Sequence, residues 1–298
     1  MTREPLVRAP CDADVADVTG LWAQCVPYTV RTARVVGPAL MEPGSLVAER
    51  AGRVIGYGAV RYSPSGHDDT AHLHLLVSPG ARRAGVGSTL LARLEATALG
   101  LGAAHTYAFV NADGVSPGFA EHRGYTGEHV HRFSGCDPHD CPPPPPTPDG
   151  LTVVPLDDMT DLPAVWRAHQ ATAEDDPSGS TPRMPYAVWL REFWDYPDHE
   201  PALGVAVLDG TTLASYTMTQ ADPDLHRAWS TMTGTPPSYR GRDLAKLAKA
   251  TALRAAAARG YSGATTGNDL ANAPMLAVND WLGYREVARA YSMTRPLT

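Results

Sequence analysis

The chain has 298 residues, of which 43% are hydrophobic and 19% charged, and its formal net charge is −7. This composition is typical of a globular protein, and a negative charge without a basic cluster argues against nucleic-acid binding. No apolar run approaches the ~20 residues of a membrane span, the start lacks a signal-peptide core, and four cysteines are too few for a disulfide framework. We therefore expect a cytoplasmic protein of two domains with no membrane contact.

The first half reads as alternating strands and helices. A strand at 6–9 precedes a helix that Asp12 or Asp14 caps and that runs through Trp22. Residues 27–43 show no clear period, and 45–62 predict a hairpin that turns at Gly52-Arg53.

The next predicted strand, 71–77, places His72 and His74 on one face, because strand side chains alternate. The two imidazoles are either packed or solvated side chains, or a relay for a proton near neutral pH.

A strand, a tight loop and a helix start follow one another between Leu75 and Ser88. The apolar run ends at Val77, Pro79-Gly80 breaks it, and 88–98 predict an amphipathic helix. The free N–H groups at a helix start favour an anion, and glycines let the backbone approach it closely. The loop supplies two glycines and two arginines for this purpose: Gly85, Gly87, Arg82 and Arg83. It predicts a diphosphate site, with a ligand-free turn as the alternative.

The chain contains this pattern twice. Aligning Arg82 with Arg240 places Val77 opposite Thr235 and Gly87 opposite Ala245, and Asp243 stands opposite Gly85. In both copies the helix is followed by a strand ending in Asn (Asn111 and Asn268), a short helix, a Gly-Tyr pair and a last strand. We interpret the two halves as copies of one fold, with a carboxylate in the second loop where a diphosphate is expected.

A proline-rich segment separates the copies. The run Pro142 to Pro146 favours polyproline II geometry, so we predict domains at 1–137 and 150–298 joined by a semi-rigid linker at 138–149. Cys136, His139 and Cys141 lack the paired spacing of a zinc site, and we predict no metal.

The second half begins with a predicted strand at 151–154 and a helix through 166–173. An acidic turn containing Glu174 precedes a predicted helix at 186–194, and this turn either faces a cationic amine or is a solvated cap. Further strands are predicted at 203–208 and 212–220, around Asp209-Gly210, and at 228–235.

The spacing Arg82-x-x-Gly85-x-Gly87 after a strand resembles the acyl-CoA pyrophosphate loop of the GNAT superfamily of N-acetyltransferases. The segment from Asn272 to Tyr284 closely resembles the ending of actinobacterial-type GNAT proteins. The resemblance implies an α/β chain of two tandem GNAT folds, each a mixed, mostly antiparallel twisted sheet flanked by helices. It implies acetyl-CoA (coenzyme A) as co-substrate. The residues it implies in cofactor binding are Leu75, Leu76, Val77, Arg82, Arg83, Ala84, Gly85, Val86, Gly87, Ser88, Thr233, Gly234, Thr235, Arg240, Gly241, Arg242, Asp243, Leu244, Ala245 and Asn272.

The usual general acid of the family is missing from both halves. Many GNAT enzymes carry a Tyr four residues before the closing Gly-[FY] pair to protonate the departing thiol, and here those positions are Ala120 and Asn279. The histidine pair of 71–77 resembles the His-Leu-His of arylalkylamine acetyltransferases. The candidate catalytic residues are His72, His74, Glu174 and Tyr239.

These features predict an N-acetyltransferase that moves an acetyl group from acetyl-CoA to a primary amine of a small molecule by direct attack. We expect the second half to carry the chemistry, in a monomer or a homodimer. The alternatives are an acyl-CoA-binding sensor or assembly protein without turnover, and a protein or peptide N-acetyltransferase.

Overall fold

The computed structural model describes residues 5–62, 69–173 and 183–297, and both halves of the sequence follow the same order of elements. The first half contains the strands β1 (Leu6–Arg8), β2 (Ser45–Arg50), β3 (Arg53–Arg61), β4 (Thr70–Val77), β5 (His105–Asn111) and β6 (Thr126–Cys136), and the helices α1 (Val15–Cys25), α2 (Ala33–Met41), α3 (Val86–Gly100) and α4 (Ser116–Glu121). The second half contains the strands β7 (Leu151–Pro155), β8 (Val205–Asp209), β9 (Thr212–Asp222), β10 (Arg227–Gly234), β11 (Gly263–Asp269) and β12 (Arg285–Pro296), and the helices α5 (Leu162–Ala173), α6 (Tyr186–Trp189), α7 (Leu244–Ala258) and α8 (Ala273–Trp281).

Helix α2 lies in the segment where the sequence shows no period. Its start is capped by Thr32, whose side chain accepts a hydrogen bond from the backbone N–H of Arg34. Val36 and Leu40 are buried, while Pro38 lies inside the helix and obscures its apolar pattern. The helix predicted at 186–194 is α6 followed by a π turn at Leu190–Trp194.

Two compact units divide the chain. Unit 1 consists of Met1–Pro27, Arg31–Val130 and Arg289–Thr298, and unit 2 consists of Tyr28–Val30 and His131–Ala288. The greater part of the last strand of each sequence copy, 131–136 of β6 and 289–296 of β12, therefore belongs to the unit built mainly from the other copy. The linker at 138–149 concerns where the two sequence copies join, and it stays a prediction.

The sheets of the two units have the same plan. Unit 1 has the strand order β1-β2-β3-β4-β5-β12, and unit 2 has the order β6-β11-β10-β9-β8-β7. Within both units the strand pairs are antiparallel except β4–β5 and β10–β11, which are parallel. This confirms the predicted mixed, mostly antiparallel sheets.

The parallel pair of each sheet separates part of the way along. Pairing of β4 with β5 ends at His72 and Tyr107, and pairing of β10 with β11 ends at Ser230 and Thr266. Beyond these residues the two strands of each parallel pair are no longer paired with each other. A gap therefore opens between them, toward the loops that precede α3 and α7.

Helices cover both faces of the sheet in unit 2. Leu247 of α7 packs with Val205 and Ala214 on one face. On the other face Trp189 of α6 and Tyr216 of β9 form a cluster with α5. Both aromatic side chains are fully buried, so each face of this sheet has its own core.

The proline-rich segment begins beside unit 2. A 3₁₀ turn at Pro138–Asp140 contacts α7, and Cys141 is buried in the cluster that includes Leu253. Residues 141–148 follow in neither helix nor strand, as the proline run predicts.

Close contact between α3 and β3 depends on glycine. A Cβ added to Gly58 would lie 2.7 Å from Leu94 Cδ1, whereas one added to Gly100, at the end of α3, would meet nothing within 4 Å. We expect Gly58→Ala to destabilise the protein by about 1–3 kcal/mol through overpacking. Gly100→Ala should be neutral or stabilise by ~0.5 kcal/mol. Urea unfolding measures both, and equal effects would contradict this account of the packing.

Candidate functional site

The loops before α3 and α7 have the same backbone conformation. Each begins with a 3₁₀ turn, Pro79–Ala81 or Pro237–Tyr239. Two left-handed residues follow at matching positions: Arg83 (φ 62°) and Gly85 (φ 80°) in unit 1, Gly241 (φ 73°) and Asp243 (φ 56°) in unit 2. The helices then start at Val86 and Leu244. Because the first N–H groups of a helix have no partner within it, both loops have the geometry of an anion site.

Arginine anchors each loop to the strand before it. Arg82 Nε donates to the carbonyl of Val77 at 3.5 Å, and Arg240 Nε donates to the carbonyl of Thr235 at 3.0 Å. Arg82 also forms a 3.0 Å ion pair with Asp113. The charge of Arg82 is therefore already matched by a carboxylate within unit 1.

Asp243 holds its carboxylate against the helix that it precedes. Its Oδ1 lies 2.9 Å from Lys246 Nζ, and the side chain is 63% exposed. Asp is among the residues that tolerate the left-handed conformation best. The negative charge in the second loop is therefore partly neutralised and faces solvent.

In unit 1, side chains cross the gap between β4 and β5. Asn111, at the end of β5, donates to the carbonyl of Cys25 at 2.7 Å. The Cys25 thiol donates to the carbonyl of Val77, at the end of β4, at 3.5 Å. The end of α1 thus lies across the gap, and the Phe119 ring lies so close to α3 that a Cβ on Gly87 would be 3.3 Å from it.

In unit 2, the corresponding gap belongs to a cavity of about 500 Å³. Asn268, the counterpart of Asn111, accepts a 2.7 Å hydrogen bond from Asn279 of α8. Strand β10 has a bulge at Thr231, between the paired residues Ser230 and Met232. The cavity runs from the loop before α7 to the point where β10 and β11 separate. Its lining residues are His131, Thr172, Ser230, Thr231, Met232, Thr233, Gly234, Thr235, Tyr239, Arg240, Gly241, Asp243, Leu244, Ala245, Lys246, Lys249, Thr266, Gly267, Asn268, Asp269, Asn272, Pro274, Met275 and Val278.

Most of the cofactor residues predicted in the second copy line this cavity; Arg242 is not among the lining residues. Its guanidinium lies 5.8 Å from the centre of the Tyr239 ring. Asn272 caps α8, accepting a hydrogen bond from Met275 N at 3.2 Å. The residues predicted in the first copy lie on β4, on the loop and at the start of α3. Their roles in binding stay predictions.

The two predicted histidines lie on β4 of unit 1. His72 is exposed, with its ring 5.0 Å from that of Tyr107, and His74 packs 5.4 Å from Trp22. Burial, and then the nearby charges of Arg31 and Arg61, lower the pKa of His74 to about 3. An imidazole with this pKa is a weak proton acceptor at neutral pH.

Tyr239 has its hydroxyl engaged. It donates to Asp209 Oδ2 at 3.1 Å, and desolvation followed by this hydrogen bond raises the pKa of the phenol. Donation of this proton to a departing thiolate would require the bond to Asp209 to break. Glu174, the fourth predicted catalytic residue, lies outside the described residues.

His131 and Asp269 were not predicted as site residues from the sequence. They are directly opposite each other on the antiparallel strands β6 and β11, both are buried, and both line the cavity. Opposite residues of such a pair have Cβ atoms ~5 Å apart on one face. The sequence could not show this, because β6 comes from the first copy and contributes His131 to unit 2.

Lys249 is a second residue that sequence reasoning missed. It is 2% exposed, lines the cavity, and donates from Nζ to Ser230 Oγ at 3.0 Å. Burial lowers the pKa of this amine to about 8. Its counterpart in the first copy is Leu91, a core residue. The alignment of the two copies therefore already shows a lysine at a helix position that is buried in the first copy.

Of the two cysteines near the linker, Cys141 is buried and Cys136 is half-buried. Burial raises the pKa of Cys136 to about 12 and that of Cys141 to about 11, while His139 Nδ1 lies 2.9 Å from Asp137. Within 5–62, 69–173 and 183–297, no three His, Cys, Asp or Glu side chains gather as a metal site requires.

The buried charge of Lys249 should cost stability. We expect Lys249→Met to stabilise the protein by roughly 3 kcal/mol at pH 7, as the lowered pKa implies. Between about pH 8 and the ordinary lysine pKa of 10.5, the unfolded chain keeps a proton that the folded chain has lost. The stability of the wild type therefore rises with pH in this range, and its difference from Lys249→Met narrows. Urea unfolding from pH 7 to pH 10 measures this. Leu91→Met is the matched control, and a difference that is constant or widens with pH would contradict the expectation.

Comparison with known proteins agrees with this geometry. A model of the acetyltransferase (GNAT) family matches residues 19–125. A search of curated proteins by sequence gave no significant match. A GCN5-related N-acetyltransferase from Sphaerobacter thermophilus is 18% identical, with a TM-score of 0.75 over 98% of this chain and 96% of that one. A tandem GNAT protein from the clavulanic acid biosynthesis pathway is 22% identical, with a TM-score of 0.76 over 99% and 98%.

None of the described helices is both long and apolar enough to cross a membrane. Residues 19–125 are similar in sequence to the acetyltransferase (GNAT) family, and over 99% of its length the chain shares the fold of a tandem GNAT protein.

Proposed function

We propose that unit 2 binds acyl-CoA, with acetyl-CoA as the smallest donor, and transfers the acyl group to the primary amine of a small molecule. The observation that carries this proposal is the cavity that joins the loop before α7 to the gap between β10 and β11. Its volume of about 500 Å³ is in the range of small-molecule sites. The negative net charge of −7 is compatible with a cationic amine as acceptor.

The cavity offers a separate partner for each part of acyl-CoA. The N–H groups at the start of α7 and the left-handed Gly241 suit the diphosphate. The pantetheine arm would follow β10 between Thr231 and Gly234, where backbone groups on the β11 side have no strand partner among the described residues. An extended amide chain in this position would satisfy them, as a neighbouring strand does elsewhere.

The proposed reaction is direct attack of the amine on the thioester carbonyl. Backbone N–H groups of β10 around the Thr231 bulge would donate hydrogen bonds to the oxyanion of the tetrahedral intermediate. Collapse of that intermediate releases the CoA thiolate. An acceptor that arrives as an ammonium must lose a proton to a base before it can attack, and we propose His131 for this role, with Asp269 opposite it.

The position of His131 fits an acceptor on the α5 side of the sheet. Cys136, on the same strand, packs with α7 residues, and His131 is five residues away, so the two side chains are on opposite faces. Thr172, near the end of α5, also lines the cavity. The donor would therefore enter beside α7 and the acceptor from the face that carries His131.

A binding protein without turnover is the second candidate. Asn279 favours it, because this buried amide stands where many GNAT enzymes carry the Tyr that protonates the thiol. Release of free CoA thiol from acetyl-CoA on addition of an amine panel decides between the two. Tight binding without thiol release beyond hydrolysis would support a sensor.

One acyl-CoA should bind per chain. We expect Gly241→Glu to weaken acetyl-CoA binding at least tenfold, since it places a carboxylate at the diphosphate position. Gly85→Glu is the matched control: it is a left-handed glycine of the first loop, with equally open space around it, and should leave affinity within about twofold. Isothermal calorimetry measures both. Loss of binding in Gly85→Glu with retention in Gly241→Glu would contradict the assignment to unit 2.

His131→Gln should lower kcat by about 10²–10⁴-fold at pH 7 while acetyl-CoA affinity is kept, because only proton removal is affected. The loss should shrink as the pH rises toward the pKa of the free amine, when the acceptor arrives deprotonated. Asp269→Asn should give a smaller loss with the same pH trend. A kcat for His131→Gln that equals the wild-type value at pH 7 would exclude His131 as the base.

A further inference from the structure

Lys249 lies at the inner end of the proposed acyl-CoA cavity. Its Nζ donates to Ser230, the last residue of β10 that pairs with β11, and Thr266 opposite Ser230 lines the same cavity. The loop proposed for the diphosphate is at the other end. Because the acyl group is the part of acyl-CoA farthest along the pantetheine arm from the diphosphate, it would extend toward Lys249.

The charge of Lys249 has no carboxylate partner. In the part of the chain that the structure describes, no Asp or Glu lies within ion-pair distance of Nζ, and its polar contact is the Ser230 hydroxyl. The titratable groups facing it are Cys136 of β6 and Tyr284. The Tyr284 ring lies 5.4 Å from Nζ. With a pKa of about 8 the amine is still mostly protonated at pH 7.

The fold itself does not require this lysine. Unit 1 has Leu91 at the equivalent helix position, and that side chain packs with Leu94 and Leu73 in the core. A buried cation costs free energy that a leucine would not, so its place beside the cavity points to a ligand that compensates for it.

We propose that Lys249 forms an ion pair with a carboxylate at the far end of the acyl group, so that the preferred donors are CoA thioesters of dicarboxylic acids. This inference rests on the proposed binding of acyl-CoA in unit 2. The Ser230 hydroxyl accepts from Lys249 and lies 3.4 Å from Thr217 Oγ1, and by rotating it can donate its own hydrogen to the same carboxylate. Both groups would then bind one anion at the inner end of the cavity.

A role for Lys249 as the base that deprotonates the acceptor fits the geometry less well. Lys249 belongs to α7, and Cys136, which faces it, is on the opposite side of the sheet from His131. The acceptor is proposed to enter on the His131 side. Lys249 is therefore placed to contact the acyl group and not the amine.

Succinyl-CoA and butyryl-CoA test the inference, because their acyl groups have the same length and differ in the terminal carboxylate. Calorimetry on the full chain at pH 7 should give a Kd for succinyl-CoA at least tenfold below that for butyryl-CoA, as a desolvated ion pair requires. In Lys249→Met the ratio should fall to within about twofold, while free CoA binds as tightly as before. Thermal unfolding of the variant confirms that it is folded.

Lys246→Met is the matched control, since this second cavity lysine lies one turn earlier, at the diphosphate end. This substitution should weaken the binding of succinyl-CoA and butyryl-CoA by the same factor and leave the ratio of their Kd values unchanged. Equal affinities in the wild type, or a preference for succinyl-CoA that survives in Lys249→Met, would overturn the inference while leaving the proposed function standing. Failure of CoA and both thioesters to bind would overturn the proposed function as well.

Discussion

The structure depends on a parallel strand pair that stops pairing before its strands end. In each unit the backbone groups beyond that point need other hydrogen-bond partners, because an unsatisfied peptide group away from water is costly. Unit 1 supplies part of them from α1: Cys25 and Asn111 join the ends of β4 and β5. Unit 2 keeps the gap open to a cavity. The same backbone plan thus gives one gap that side-chain hydrogen bonds cross and one gap that opens into a cavity.

A few side-chain differences distinguish the gap in unit 2 from the gap in unit 1. Asn111 bonds to α1, whereas its counterpart Asn268 accepts from Asn279 of α8 and leaves the gap free. Lys249 replaces a core leucine and brings a charge to the inner end of the cavity. The two loops, in contrast, keep the same left-handed conformations even where glycine has been lost. The backbone conformation of the loops is thus the same in both copies, and the side chains at the gap differ.

The sequence predicted the features that local pattern controls. The two loops, their helices and the mixed sheets follow from glycine and arginine spacing and from apolar periods around Arg82 and Arg240. It did not predict α2, because Pro38 interrupts the period. Local pattern also does not show which unit a final strand joins, and most of β6 and of β12 lies in the unit built from the other copy. His131 could not be assigned to the site for that reason. The family model matches 19–125, where the glycine pattern is intact, although the cavity lies in unit 2.

Amide hydrogen exchange with and without saturating acetyl-CoA tests the central claim most directly, because it reports on the unpaired strand edge itself. We predict slower exchange in peptides covering 230–246, which include the edge of β10 and the start of α7, and unchanged exchange in the equivalent peptides covering 72–88 of unit 1. Protection of 72–88 in place of 230–246, or of neither segment, would contradict the account.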